Sequence, residues 1–535
     1  MTKYLNKIFQ LINVIIVFPL LIFAQDSTNF NRNLLYLGSN LFEGRGTGTI
    51  GGELTAKYLA LNLNKYELNP MGYENTFYQY IPMHGNKPTN ESKIIIVNNS
   101  KDTLKIKENF QFYHIGGRIF APNPIPIVFV GFGITAQEFN YDDYSNVDVE
   151  GKIAVYFEGE PVSKNQDYFN GDFPTTYSFA DTKQKIALSK GAIGTIQIPI
   201  FSCRSNSEWI KLNHEFYFED ISLAYQPTPL LSILLNPESA SKLFLNSNYD
   251  FSSVIKMLNE NNLQSFELKS KLLMEPKSVR RDFVSPNVLG YLGGNDSKMK
   301  SEFVVVTAHY DHLGIGLPIE KDSIYNGVFD NSIGVSALLE LARLFSENNN
   351  FFKRSIIFLF VTGEESGLLG SSYFVDHPPI PKSNIVANIN IDGLAVIDEF
   401  KSIVGIGSKL SSLEKILADV AEQSNLKVDE IPSEFDSYES FLHSDQLAFA
   451  LAGIPSVLIS DGIDYLHINH NQALFIWKDY INNKYHTPFD DLSQPINYKA
   501  VNQHIKVLYN FILKVANSEN EIEWNSDSPY QREEK

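Results

Sequence analysis

At 535 residues, 43% hydrophobic and 20% charged, the chain is long enough for more than one domain with a sizeable core and has the composition of a folded globular protein. Its net charge of −18, with no basic stripe or arginine cluster to offset it, repels phosphate backbones and argues against nucleic acid as a partner. Cys203 is the single cysteine, so no internal disulfide framework forms and packing is its expected role.

Residues 1–24 set Lys3 and Lys7 before an apolar run from Ile8 to Phe23 and end in Ala24, the layout of a cleaved signal peptide. Gln10, Asn13 and Pro19 interrupt the run, which is too short and broken for a confident membrane anchor. The expectation is an exported protein, periplasmic or extracellular, with no stable membrane anchor after cleavage near Ala24. Residues 33–63 read as helical at both ends around the glycine-rich break LFEGRGTGTIGG at 41–52, where Glu43 and Arg45 form either a surface pair or part of a site. Residues 76–107 alternate apolar and polar side chains between turn signals, as a few antiparallel strands do.

Further on, PIPIVFVGFGI at 124–134, KIAVYF at 152–157, AIGTIQI at 192–198 and 229–235 are strand-like, with helices expected over 182–191 and 237–245. They form a compact α/β unit without a metal-ligand or nucleophile constellation. From Asn287 the chain repeats a strand-then-helix order. Strands are expected at 287–294, 302–314, 356–361, 385–391 and 455–459, and helices at 338–345, 410–424 and 502–516, with a mobile polar tail from Ser518.

The run at 356–361 is short, continuous and rich in β-branched and aromatic residues, as expected of a strand buried on both faces of a parallel sheet. Glu364 and Glu365 follow it, at the carboxyl end where open α/β sheets build their sites. One glutamate there can bind a metal while its neighbour faces a water; a solvated glutamate pair is the bland alternative. Across residues 302–516 a His, an Asp, a Glu, a second Asp and a second His fall at strand ends or in the loops after them. Imidazoles combined with hard carboxylates suit zinc, with manganese or cobalt as other divalent candidates.

AHYDHLG at 308–314, the pair Asp330-Asn331, TGEESGLLGS at 362–371, NID at 390–392 and YHTP at 485–488 resemble the dizinc aminopeptidases of peptidase family M28. The resemblance covers about 287–515 together with the GRGTGT loop. It implies an α/β fold: a mixed, mostly parallel sheet flanked by helices, the zinc-peptidase fold, with an inserted smaller α/β domain. It also implies two Zn2+ ions, His309 and Asp392 on one, Glu365 and His486 on the other, and Asp330 bridging them. Glu364 would be the general base that activates a metal-bound water, Asp311 would orient His309, and Tyr485 would donate to the oxyanion. The peptide after Asp330 is expected to be cis, as in relatives. Ile333 stands where the family often has serine, and Gly393-Leu394 follow Asp392 where methionine or a small residue is expected. His312, His443, His467 and His470 lie outside the implied ligand set and are expected in surface or hydrogen-bonding roles.

GKIAVYFEGEP and KGAIGTIQI, at 151–161 and 190–198, are similar to the protease-associated (PA) domain inserted in larger members, which implies a lid or a substrate-selecting wall. The expected organisation is a signal peptide at 1–24, the N-terminal part of a peptidase domain at 25–114, a PA-like insertion at 115–265, a metallopeptidase catalytic domain at 266–516 and a polar tail at 517–535. The expected activity is a secreted aminopeptidase acting on peptides. Carboxypeptidase, glutaminyl cyclase-like and inactive binding-protein readings are the alternatives; the complete ligand set and the paired glutamates count against the last two.

Overall fold

Strands in which every residue is buried organise the larger of two compact units, which comprises the chain up to Ile81 and from Val284 onward. The structure, a computed structural model, describes residues 27–115, 123–165, 167–169, 175–200, 206–225, 231–348, 352–431, 441–526 and 528–531. The signal-like residues 1–24 and Cys203 lie outside the described residues.

The larger unit begins with helices α1 (Ser27–Leu37) and α2 (Ile50–Lys65). The chain re-enters it within β1 (Ser278–Leu292) and continues through β2 (Phe303–His309), α3 (Ile333–Glu347), β3 (Ser355–Val361), α4 (Leu369–Asp376) and β4 (Ile385–Asn390). Then follow β5 (Ser402–Ile406), α5 (Leu413–Gln423), α6 (Gln446–Leu451), β6 (Ser456–Asp461), α7 (His470–Asn483) and α8 (Tyr498–Asn517). The strands lie in the order β1-β3-β2-β4-β6-β5. From β3 to β6 the pairings are parallel; β1 runs antiparallel to β3, and β5 antiparallel to β6. The fold is therefore a mixed, mostly parallel sheet flanked by helices.

Alternate residues of the central strands feed two cores, because successive strand side chains point to opposite faces. Val304, Val306, Ile356, Phe358 and Phe360 share a core with Leu338 and Phe345 of α3 and Phe511 and Ile512 of α8. Val305, Ile357 and Leu359 pack on the other face with Phe374 of α4 and Phe449 of α6. Each such side chain contributes about 1.5–3 kcal/mol relative to an exposed position, which holds the strands in register. Parallel strands put their carboxyl ends along one edge. His309 ends β2, Glu364 and Glu365 follow β3, and Asp392 follows β4. Gly363 turns the chain out of β3 with φ 70°, in the left-handed region that glycine enters without steric cost.

The second unit, Pro82–Phe283, has its own core and an eight-stranded sheet. Ile125–Phe129, Ile153–Phe157, Gly194–Ile198 and Ser232–Leu235 pair in parallel. The expected boundaries at 115 and 265 fall inside this unit. Phe110–His114 pairs with Ser232–Leu235, and Phe266–Glu275 pairs with both Ile125–Phe129 and Lys93–Val97, so backbone hydrogen bonding carries the unit outward on both sides.

The carboxyl-terminal segment also departs from expectation. Trp524 forms a bridge with Ser411 and is 6% exposed, and the Ser412 and Asn525 amides donate to Glu523 O and Leu410 O. Tyr530 packs on both Trp524 and Phe441, each with ring centroids 5.5 Å apart. Apolar anchors in an otherwise polar segment dock it onto the larger unit. Trp524→Ala is expected to cost about 3 kcal/mol of that unit's stability. Chemical denaturation measures it, and an unshifted midpoint would mean that the segment adds no stability.

Candidate metal centre

Asp330 lies between two histidines that are distant from each other along the chain. Its Oδ1 is 3.2 Å from His309 Nε2, and its Oδ2 is 3.2 Å from His486 Nε2. His309 Nε2 is also 3.3 Å from Asp392 Oδ1, and His486 Nε2 is 3.1 Å from Glu365 Oε2. Two half-sites, His309 with Asp392 and His486 with Glu365, therefore share one carboxylate. Glu364 lies with His309 and Glu365 in a group whose candidate ligand atoms are all within 4.8 Å of one another. The sequence-predicted ligands converge.

Local structure explains how each arrives. His309 sits at the buried end of β2, and its Nδ1 is 3.1 Å from the main-chain oxygen of Asp311. Asp330 lies in the irregular turn Val328–Ser332 before α3, where the Asp330–Asn331 peptide is cis. His486 takes a left-handed backbone conformation, φ 56°, just after α7, and the Tyr485 ring stacks on its ring at 3.8 Å between centroids. The remaining oxygen of Asp392 accepts from Ser444 Oγ at 2.6 Å, and Ser444 in turn accepts from Asn390 Nδ2.

One expectation needs correction. His309 is oriented by the main-chain carbonyl of Asp311; the Asp311 carboxylate instead accepts from Thr47 Oγ1 and from the Glu364 amide. His312 is buried, and its Nδ1 hydrogen-bonds Glu365 Oε1, which places its hydrogen-bonding role on the centre itself. His467, by contrast, is exposed and pairs with Asp398. Ile333 and Leu394, the departures from the family pattern, are buried in the core.

Sequence reasoning also missed contributors. Asp490 accepts from the Phe329 and Asp330 amides and from Tyr480 Oη, and Asn331 Nδ2 donates to Ile391 O. Ser444 and Asp445 were unassigned. Proximity to a named motif was the only available signal: Asp490 falls four residues after His486, and Ser444 directly follows His443.

A scan of family models matches residues 287–512 to peptidase family M28. The match spans 226 of the 535 residues, somewhat under half of the chain. A vacuolar membrane protease of Candida dubliniensis is 31% identical over 124 residues, 23% of this chain and 12% of that protein. Aminopeptidase YwaD of Bacillus subtilis is 29% identical over 215 residues, 39% of this chain and 40% of that protein. The chain thus spans less than half the length of either relative. An aminopeptidase structure from Aneurinibacillus sp. strain AM-1 superposes with a TM-score of 0.55 at 16% identity, covering 95% of this chain and 98% of that one, a likeness of fold. The expected periplasmic or extracellular location is corrected by these findings: several relatives are vacuolar membrane proteases. Among the described residues no helix is long and apolar enough to cross a membrane.

Several titratable groups at this centre are shifted by burial and by one another. Burial opposes ionisation of Asp330, but the imidazoles of His309 and His486 beside it hold its carboxyl well below the usual range. Burial and Asp330 likewise oppose ionisation of Glu365, yet His486 and His312 hold it at about 2. Burial pushes Glu364 well above the carboxylate range, with Asp445, Asp392 and Glu365 adding to the effect against His309, and burial lifts Asp445 to about 7. Burial alone would depress His309 and His486; the carboxylates around them raise both well above 6.5.

A histidine raised on folding contributes stability below its ordinary pKa of 6.5 and loses it as pH rises through the folded value. Carboxyls raised on folding, such as Glu364, act in the same direction. Protein treated with chelator is therefore expected to lose thermal stability as pH rises above 6.5. Added zinc should flatten or reverse that trend, because metal binding takes the place of the histidine protons. Thermal midpoints across pH, with and without zinc, check this; a rising midpoint in the chelated protein would contradict it.

Proposed function

We propose that the chain is a metallo-aminopeptidase that holds two zinc ions and removes the amino-terminal residue of peptides. The observation that carries this reading is the division of Asp330, whose two oxygens each face a separate histidine–carboxylate pair, with Glu364 beside them. The donors fit the ions. His486 Nε2 is buried without a hydrogen-bond partner of suitable geometry, though it lies within 3.2 Å of two carboxylate oxygens, an arrangement that a shared cation satisfies. His309, Asp330 and Asp392 would hold one ion, and Asp330, Glu365 and His486 the other. Bound there, zinc supplies Lewis-acid polarisation of the scissile carbonyl and makes water more acidic.

The chain's own groups complete the reaction. Glu364 takes a proton from the attacking water and delivers it to the leaving amine; its raised affinity for protons suits a shuttle. Tyr485, fixed by its stack on His486, is the proposed donor to the developing oxyanion. Ser444 and the Asp311 carbonyl hold Asp392 and His309 in orientation. The excess of carboxylates favours a substrate that presents an ammonium group over one that presents a terminal carboxylate. Arg45, a cation beside these loops, is engaged by main-chain carbonyls. This supports cleavage at the amino end over carboxypeptidase activity.

Glu364→Gln is expected to lower kcat by about 10²–10⁴-fold while metal content stays at the wild-type value. The test is hydrolysis of aminoacyl and amino-blocked peptides alongside metal analysis. Turnover of free amino termini only, on two metals per chain, supports the reading. One metal with cyclisation of amino-terminal glutamine would replace it with a cyclase, and cleavage of blocked peptides from the carboxyl end with a carboxypeptidase.

A further inference from the structure

The glycine-rich loop at 41–52 sends a charged side chain into the protein. Arg45 is 1% exposed, whereas Glu43 is exposed, so the two are not a surface pair. All five guanidinium N–H groups of Arg45 meet main-chain carbonyls. Nε donates to Tyr310 O at 2.9 Å, Nη1 to Leu37 O at 3.3 Å and to Asn326 O, and Nη2 to Gly327 O at 2.8 Å and Asp330 O at 3.4 Å. Tyr310 lies between His309 and Asp311; Asn326 and Gly327 lead into the turn that carries Asp330. One rigid planar group therefore spans the two arms that meet at the centre. Two residues on, Thr47 Oγ1 donates to Asp311 Oδ2 at 2.9 Å, and Asp311 Oδ1 accepts the amide of Glu364 at 3.2 Å.

Packing alone does not account for this choice of residue. A buried charge without an ion-pair partner is costly, and an apolar side chain would fill the space at less cost. The compensation comes from carbonyl dipoles and from the field of Asp330, Asp490, Asp311 and Glu365. The loop itself is built to approach closely. Gly44 has φ 68°, and a Cβ there would lie 2.3 Å from Tyr325 O and 2.6 Å from Gly314 O, while Gly46 bridges to His312.

We propose that Arg45 and Thr47 are positioning residues of the metal centre: Arg45 sets the separation of His309 from Asp330, and Thr47, through Asp311, sets the main chain of Glu364. The inference rests on the metallopeptidase reading. Arg45→Lys keeps the charge and loses the planar fork, so it separates geometry from electrostatics. In the full-length chain it is expected to weaken zinc affinity, measured by chelator competition, by about 10–100-fold, and to change the visible spectrum of the cobalt-loaded protein. A lower thermal midpoint with wild-type zinc affinity and cobalt spectrum would overturn the role of Arg45. Thr47→Val is expected to lower kcat about tenfold or more with KM and metal content unchanged, and Thr47→Ser to restore it. Unchanged kcat in Thr47→Val, or no recovery in Thr47→Ser, would overturn the role of Thr47. If Arg45→Lys does not fold, the threonine pair decides. Wild-type protein that neither binds zinc nor cleaves peptides would overturn the metallopeptidase reading itself; wild-type activity with variants that match it would overturn only the positioning roles.

Discussion

The carboxylate of Asp330 is the constraint around which the larger unit is arranged. A buried carboxylate is costly unless both oxygens are satisfied, and here each is met by a different histidine. Meeting both requires β2, the turn before α3 and the segment after α7 to arrive within hydrogen-bonding distance of one residue. Secondary contacts hold that meeting in place. Asn331 links the turn to Ile391 O and to the Gly393 amide, and Asp490 links it to the segment that carries His486. The bridging turn is thus tied to the strands and loops that supply the other ligand candidates.

The electrostatic problem at this edge is an excess of acid. Asp311, Asp330, Glu364, Glu365, Asp392 and Asp445 crowd together, and the groups that can balance them are His309, His312, His486 and, from behind, Arg45. Burial strengthens every one of these interactions because little water is present to screen them. The carboxyls consequently separate into two kinds. Asp330 and Glu365, beside histidines, stay ionised; Glu364 and Asp445 hold protons more strongly. That division of neighbouring glutamates fits the roles proposed for them, Glu365 as ligand and Glu364 as base.

Much of this was legible where a local pattern matched a global role. SIIFLFV and FVVVTAH are uniform apolar runs, and uniform burial on both faces followed. The helices α3, α5 and α8 carry amphipathic spacing, and each buries its apolar side. Where the pattern was weak, the elements went unread. α7, HNQALFIWKDYINN, buries only Ala473 among its residues and is started by the capping box of Asn469 and Gln472. β5 is five residues long and owes its place to pairing with β6. The outer strands of the second unit were assigned to the wrong side of a boundary because a boundary is defined by pairing partners, which can lie 180 residues away along the chain, as Ile94 and Met274 do.

The sequence by itself determined which side chains can bind a cation and which strand ends carry them, because residue chemistry and periodicity are local properties. The resemblance of its motifs to the M28 family singled out His309, Asp330, Glu365, Asp392 and His486, and the fold brings them together. Tertiary structure alone decided the direction of each contact: that Asp311 serves His309 through its carbonyl and Glu364 through its carboxylate, that His312 turns onto Glu365, and that Arg45 points inward to five carbonyls. Those outcomes depend on where distant backbone groups stand once the sheet has closed its cores. A hydrogen bond has reach and angle, and neither is written in the spacing of residues along a chain.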